Sequence, residues 1–389
     1  MKNKFYICLV LAGAMLLARP CTLQAQLFFT NGFYFSTNDG SACIVDYSYE
    51  ANNPGFMGVV SIPGTVVVNG IALPVTSIGE GAFADYAGFN YIGGLLIPNS
   101  ITNIGNNAFA GCEYLTNIMI GNSVINIGYS AFEECLSLDN VVIPNSVNSI
   151  GAGAFMSCIR LTNIAIGSGV TNIGICVFEG CWQLQTITVD ASNPVYSGVG
   201  GVLFDKNQTA LIEFPGATGS YSVPDTVTSI YPCAFDYCEH LTNITIGSSV
   251  TSIGSYAFVD GNNSPRLYFC GNAPSADATI FTDDSNGTVY YLPGTSGWTT
   301  NYYGLPTALW FLPNPLILAS QPSFGVQSNQ FGLTISWATN AAVVVEACTN
   351  LSNPAWQPVQ TNSLTGGTAY FSDPQWANYP GRFYRLISP

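Results

Sequence analysis

Phe109, Phe132, Phe155 and Phe178 recur every 23 residues, each following an Ile-Gly pair. Cys112, Cys135, Cys158 and Cys181 keep the same interval, as do Leu115, Leu138, Leu161 and Leu184. A fixed period of this length restricts the chain to a stack of like units. One unit of 23 residues cannot bury its own apolar face, and at least three must stack to make a continuous core.

Each unit reads as apolar-Pro/Gly-x-Ser-Val-x-x-Ile-Gly-x-x-Ala-Phe-x-x-Cys-x-x-Leu-Thr-Asn-Ile-x-Ile. In Leu161-Thr162-Asn163-Ile164-Ala165-Ile166 the alternation of apolar and small or polar residues predicts a half-buried strand. Phe155, Cys158 and Leu161 lie three apart, which predicts one inward face of a short helical turn. Gly151 with Pro144 or Gly167 marks the bends. The expected fold is a mainly β repeat solenoid of about seven units of 23 residues with short helical turns, followed by a small β-sandwich. The seven anchors are Phe83, Phe109, Phe132, Phe155, Phe178, Phe235 and Phe258. Two intervals depart from the beat, 26 residues between Phe83 and Phe109 and 57 between Phe178 and Phe235. The second leaves room for an irregular insertion over 190–222, and insertions in solenoids map to loops on one face.

The recurring Ser-Val-x-x-Ile-Gly-x-x-Ala-Phe-x-x-Cys-x-x-Leu string resembles the BspA-like class of bacterial leucine-rich repeats over about residues 60–275. Asn193-Pro194-Val195-Tyr196 followed by Gly201-Val202-Leu203-Phe204-Asp205-Lys206 is similar to an irregular unit common in that class. The resemblance implies an exported surface protein with a role in adhesion and in binding host or matrix proteins. It does not name a ligand.

Outside the repeats, Lys2 and Lys4 followed by the apolar run Phe5 to Leu17 read as a secretory signal peptide over 1–25, closing at Ala25. Its 13 apolar residues are too few for a helix crossing a hydrocarbon core of about 30 Å. Cys21 follows Arg19 and Pro20, not the small residues of a lipid-anchor site. No later segment is long and apolar enough to span a membrane. The expected location is secreted or on the cell surface, after cleavage near Ala25. Residues 26–75 are expected to cap the repeats of 76–264, since a bare terminal unit would expose its core and a sheet edge. Residues 265–312 are expected to close the other end, and Pro313-Asn314-Pro315 opens a stiff linker over 313–316. The strand-like segments Leu333–Trp337, Val343–Glu346 and Arg382–Leu386 make 317–389 resemble a short fibronectin type III or immunoglobulin-like sandwich.

Beyond the leader the chain keeps five basic residues against 22 acidic ones, a net charge of −17. Nucleic acid requires a basic footprint, so it is excluded as a partner, and anionic polysaccharide is disfavoured for the same reason. Ten of the 12 cysteines remain. One Cys per unit at a fixed place reads as a small buried hydrophobe in a reduced ladder. Cys176 and Cys233 lie two residues before their repeat Phe and become neighbours if 190–222 loops out, which makes them the disulfide candidate.

Little in the sequence points to catalysis. His240 is the only histidine and falls at a variable position before a repeat Leu. The carboxylate pairs Glu133-Glu134 and Asp283-Asp284 read as a solvated face and a turn. The Cys ladder offers one thiol per unit, not the three or four ligands zinc takes, so no metal and no cofactor is expected. What remains is surface. The outward residue of each Ile-x-Ile strand is Met119, Val142, Ala165, Thr188 and Thr245, a candidate contact stripe. The expected function is an exported, non-enzymatic protein-binding or adhesion protein whose partner is an extracellular protein. The alternatives are a neutral-glycan-binding protein using Trp182, Tyr196 and Trp298, or a structural surface-layer protein.

Overall fold

A computed structural model describes residues 27–388 apart from 31, 39, 48–57, 86–90, 217–218, 239, 260–264, 283–286, 311, 313 and 320–323. The expected signal peptide, Asp283-Asp284 and the start of the linker therefore lie outside the described residues.

Each unit contributes one strand to each of two parallel sheets and a chain of turns to a third side. The longer strands Gly58–Ser61, Ile92–Leu96, Asn117–Met119, Asn140–Ile143, Asn163–Ile166 and Thr186–Val189 stack as a six-stranded parallel sheet. Their register is the repeat itself, with Asn140 beside Asn163 and Ile143 beside Ile166. The two-residue strands Asn103–Ile104, Asn126–Ile127, Ser149–Ile150 and Asn172–Ile173 form the second ladder. At its N-terminal end that ladder joins Ile71–Ile78 and, through Ser41–Tyr47, two antiparallel strands.

The third side corrects the sequence expectation. No α-helix occurs among the described residues; the single helical element is a 3₁₀ turn at Trp376–Asn378. In the unit around Phe132, Cys135 N–H bonds Phe132 C=O and Leu138 N–H bonds Cys135 C=O, three residues back each time. Phe132 N–H itself leaves its own unit and donates to Ala154 C=O of the next at 2.8 Å. Ser130 and Glu134, two residues either side of Phe132, both have positive φ (49° and 56°), and Ser157 repeats the second of these places. Two left-handed residues within five forbid a continuous right-handed helix. The inward spacing of three is real, but it belongs to successive tight turns.

The rings behind these turns form a column. Phe109, Phe132 and Phe155 are fully buried, with centroids 5.1 Å and 5.3 Å apart and planes within 6° and 5°. Each ladder thiol donates to the carbonyl of the Phe one rung back, as Cys135 does to Phe109 (3.4 Å) and Cys158 to Phe132 (3.2 Å). Burial raises the thiol pKa values of Cys135, Cys158 and Cys181, which keeps them protonated for that bond. Rungs lie so close that a Cβ on Gly151 would fall 2.5 Å from the Gly128 carbonyl carbon and the Tyr129 nitrogen. The Ile-Gly pair is therefore a steric requirement of stacking.

The number of rungs also differs from expectation. Besides the seven anchors, Phe214 stacks on Phe235 (5.1 Å) and Phe281 on Phe258 (5.9 Å), giving nine. Phe214 arises within the insertion. Tyr196–Val199 and Val202–Asp205 make an antiparallel hairpin, and Ala210–Glu213 then opens a second short-strand ladder with Leu211 beside Ile230 and Ile230 beside Ile253. Leu211 precedes Phe214 by three residues, whereas Ile230 precedes Phe235 by five. This rung is two residues short. Across the gap Cys176 and Cys233 are joined, with S–S 2.06 Å and Cα atoms 5.2 Å apart.

Glu213 is buried at the same break (6% exposed), and its carboxyl pKa lies well above the ordinary range because of burial and the neighbouring Cys181 and Glu179. Glu179 is raised as well, chiefly by burial. The unfolded chain releases the Glu213 proton near pH 4.3, and the folded chain releases it only at higher pH. Stability from this site is fully present below that value and falls as pH rises toward the raised folded pKa. Glu213→Gln is expected to raise the thermal midpoint at neutral pH and to flatten its fall between acidic and neutral pH. A lower midpoint at both would contradict the raised pKa of Glu213.

The second half repeats the plan. Leu241–Ile246, Arg266–Phe269, Val289–Tyr291 and Leu305–Leu309 run parallel in a second six-stranded sheet. The C-terminal residues are those for which a fibronectin- or immunoglobulin-like module is expected above. They form small antiparallel sheets of four and three strands around Leu333, Ile335, Val343, Val345, Leu364 and Phe371. These sheets rest on the solenoid's end, where Ser336 Oγ donates to Pro293 C=O and Trp337 Nε1 to Leu312 C=O, both at 2.7 Å.

Candidate functional site

The outer face of the first parallel sheet carries the apolar stripe. Register places Leu96, Met119, Val142, Ala165 and Thr188 in one column, a strand spacing of about 4.8 Å apart. Met119 and Val142 are 65% and 67% exposed and Leu96 37%, so three adjacent strands present uncovered apolar side chains. Ala165 is half-buried, and Thr188 is exposed with its hydroxyl donating to Ile164 C=O at 3.4 Å. Val59, 61% exposed, lies against Gly94 one column away and widens the patch. Thr245 is not part of it. It belongs to the second sheet, in register with Tyr268, because the hairpin of the insertion separates the two sheets. Leu96 was missed in the sequence, although it sits 23 residues before Met119.

Beside the stripe, where the chain enters the same strands, lies a groove of about 610 Å³ lined by Asn117, Ser137, Asp139, Asn140, Arg160 and Gln183 among others. Its amides are fixed by neighbours: Asn163 Nδ2 donates to Asn140 Oδ1 (2.9 Å) and Asn117 Nδ2 to Thr116 Oγ1 (3.0 Å). Thr162 Oγ1 donates to Asp139 Oδ1 at 2.8 Å. No reading of the sequence singled these residues out.

The other candidates are dispersed. His240 is exposed, and its carbonyl accepts from Gly219 N–H. Glu133 and Glu134 are half-buried on the turn side, and the Glu134 pKa is raised by burial and by Glu133 and Glu113. Like charges facing solvent suit a hydrated surface better than a catalytic pair. Among the described residues, the cluster with metal-ligand proximity is Cys176, Glu179 and Cys233, but its two sulfurs are bonded to each other. The aromatic residues proposed for sugar stacking are divided. Trp182 is 48% exposed, whereas Tyr196 is buried and accepts a bond from Ile173 N–H at 3.0 Å. Trp298 stacks on Tyr291 at 5.0 Å and donates to Gly271 C=O, as part of the end of the solenoid. No helix of the described residues is long and apolar enough to cross a membrane.

Comparison with known proteins follows the same repeat. No curated protein matches the chain by sequence. Among solved structures, the pneumococcal vaccine antigen PcpA is similar, with 18% identity over 73% of this chain and 85% of that one and a TM-score of 0.55. A leucine-rich repeat protein from Bacteroides ovatus has 22% identity, covering 68% of this chain and 70% of its own, with a TM-score of 0.49. A leucine rich cell surface protein from Faecalibacterium prausnitzii has 25% identity, covering 69% and 83%, with a TM-score of 0.42. The first of these speaks for the solenoid fold and for nothing further. Six copies of the BspA type leucine rich repeat region match residues 76–197 and 217–297, more than half of the sequence. The chain therefore belongs to the BspA-type leucine-rich repeat family.

Proposed function

We propose that this is an exported, non-enzymatic surface protein that binds an extracellular protein through the outer face of its first parallel sheet. Members of its family are non-catalytic surface scaffolds, so the role class follows from membership. The observation that carries the site is the exposure of Leu96, Met119 and Val142 on adjacent strands of a regular sheet. Contiguous apolar exposure of this kind marks contact surfaces, and a flat parallel sheet presents it without ordering cost. Ala165 and Thr188 extend the contact at lower apolar content, while Thr245 lies on the other sheet.

Two further features suit life outside the cell. The leader over 1–25, cleaved near Ala25, would direct export. The Cys176–Cys233 bond would then form in an oxidising compartment and hold the two halves of the solenoid across the short rung. Alkylation of the exported, unfolded chain without reductant is expected to spare these two cysteines and modify the ladder thiols. The function itself is tested by immobilising residues 26–389 and measuring saturable capture of extracellular proteins. A partner released by soluble protein supports the reading; saturable binding to neutral glycans alone, or self-association alone, replaces it with one of the other two.

A further inference from the structure

The geometry points to a second ligand site, independent of the apolar stripe: the groove along the strand entrances binds a neutral oligosaccharide. Its volume of about 610 Å³ falls in the range of small-ligand sites. Hydroxyls, amides, one carboxylate and one guanidinium line it, where most such sites present apolar and aromatic side chains. Those groups supply donors and acceptors in the mixture that a polyhydroxyl ligand pairs with.

Charge selects among polar ligands. Asp139 and Arg160 balance within the groove, so its own lining favours neither a polyanion nor a cation, and the net negative charge of the whole chain disfavours a polyanion further. Arg160 is exposed and makes no ion pair or hydrogen bond among the described residues, so its planar five-donor fork is available. The internal bonds described above use Asn140 Oδ1 and Asp139 Oδ1, leaving Asn140 Nδ2 and Asp139 Oδ2 for a ligand. Asn140 and Asp139 are oriented beforehand by those bonds, which lowers the entropy cost of binding at these two side chains.

The groove is also periodic. Asn117 and Asn140 are register partners on adjacent strands, and Ser137, Arg160 and Gln183 follow one another at 23 residues. Polar groups therefore repeat at about one strand spacing along the solenoid, which fits a chain of repeating units better than a compact ligand. Continued toward the N-terminus, the Ser137 column becomes Tyr114 and Tyr91, whose rings lie 4.8 Å apart and half-buried. Tyrosines there offer apolar faces with polar tips beside the polar row.

The test is calorimetric titration of residues 26–389 with maltohexaose, cellohexaose and mannohexaose, with a heparin hexasaccharide as the charged control. At least one neutral sugar is expected to bind, with little dependence on salt. Asn140→Ala with Arg160→Ala should weaken it at least about tenfold, as expected for loss of a charge-assisted bond. Gln183→Ala should weaken it less, and Met119→Asp, outside the groove, should leave it unchanged. No neutral sugar binding at millimolar concentration would overturn the proposal. So would preferential binding of the heparin fragment, or equal affinity in the folded double variant and in Gln183→Ala. Loss of sugar binding in Met119→Asp would move the site to the stripe and equally defeat it.

Discussion

Replacing Met119 and Val142 together by Asp is expected to weaken partner binding at least about a hundredfold while the chain stays folded. Both side chains stand outward on neighbouring strands, 65% and 67% exposed, so truncating or charging them opens no cavity. The folding cost comes from the poor fit of Asp to a strand and from repulsion between adjacent carboxylates, about 1 kcal/mol in all. At an interface the same substitutions place two unpaired charges where apolar surface was to be buried, and desolvating them costs far more. Affinity and stability should therefore separate. Surface plasmon resonance of the captured partner, beside a urea titration of each variant, measures both. Unchanged affinity in the double variant would remove the stripe from the account.

Phe132→Ala is expected to have the opposite signature, a large loss of stability. The ring is fully buried with near-parallel neighbours at 5.1 Å and 5.3 Å, so truncation leaves a cavity bounded by two rungs. Phe-to-Ala changes in cores cost about 3–5 kcal/mol. In a stack where each unit touches only its neighbours, a central defect weakens two interfaces at once. Phe281→Ala, near the end of the column and 5% exposed, should cost less. Denaturant midpoints of the two variants check the order. A loss below about 1 kcal/mol for Phe132→Ala would mean that the ladder does not carry the core.

Much of this architecture is legible in the sequence because stacking enforces identity. A rung places each Phe on the previous Phe, each Cys beneath a carbonyl and each Ile-Gly pair against a backbone, so the three residue types must recur together. The helical turns expected from the sequence give way to tight turns for a physical reason. Spacing of three between Phe, Cys and Leu fits a helix face, and it equally fits consecutive tight turns. The deciding residues, such as Ser130, Glu134 and Ser157 at positive φ, carry no glycine to announce the conformation. Phe214 was hidden because its rung is two residues short. Phe281 keeps the interval of 23 from Phe258 but lacks the Ile-Gly, Cys and Leu companions.

The placement of the candidate site was legible in part. The outward column from Met119 to Thr188 follows from strand alternation, and the same rule reaches back to Leu96. It fails at Thr245, because the insertion starts a new sheet and column identity does not survive the break. The polar groove lies where the repeat is variable, and periodicity is silent about variable positions. Only stacking brings Asn117, Asn140 and Arg160 to one place.

The central claim, that the first sheet's outer face is the contact surface, is tested most directly by oxidative footprinting of the complex. Met119 stands exposed in the stripe, and Met156 sits half-buried on the turn side as an internal reference. Thioether oxidation follows access, so the rate at each methionine reports its coverage. Partner binding is predicted to slow oxidation of Met119 and to leave that of Met156 unchanged. Equal rates at Met119 in the free chain and in the saturated complex would contradict the account.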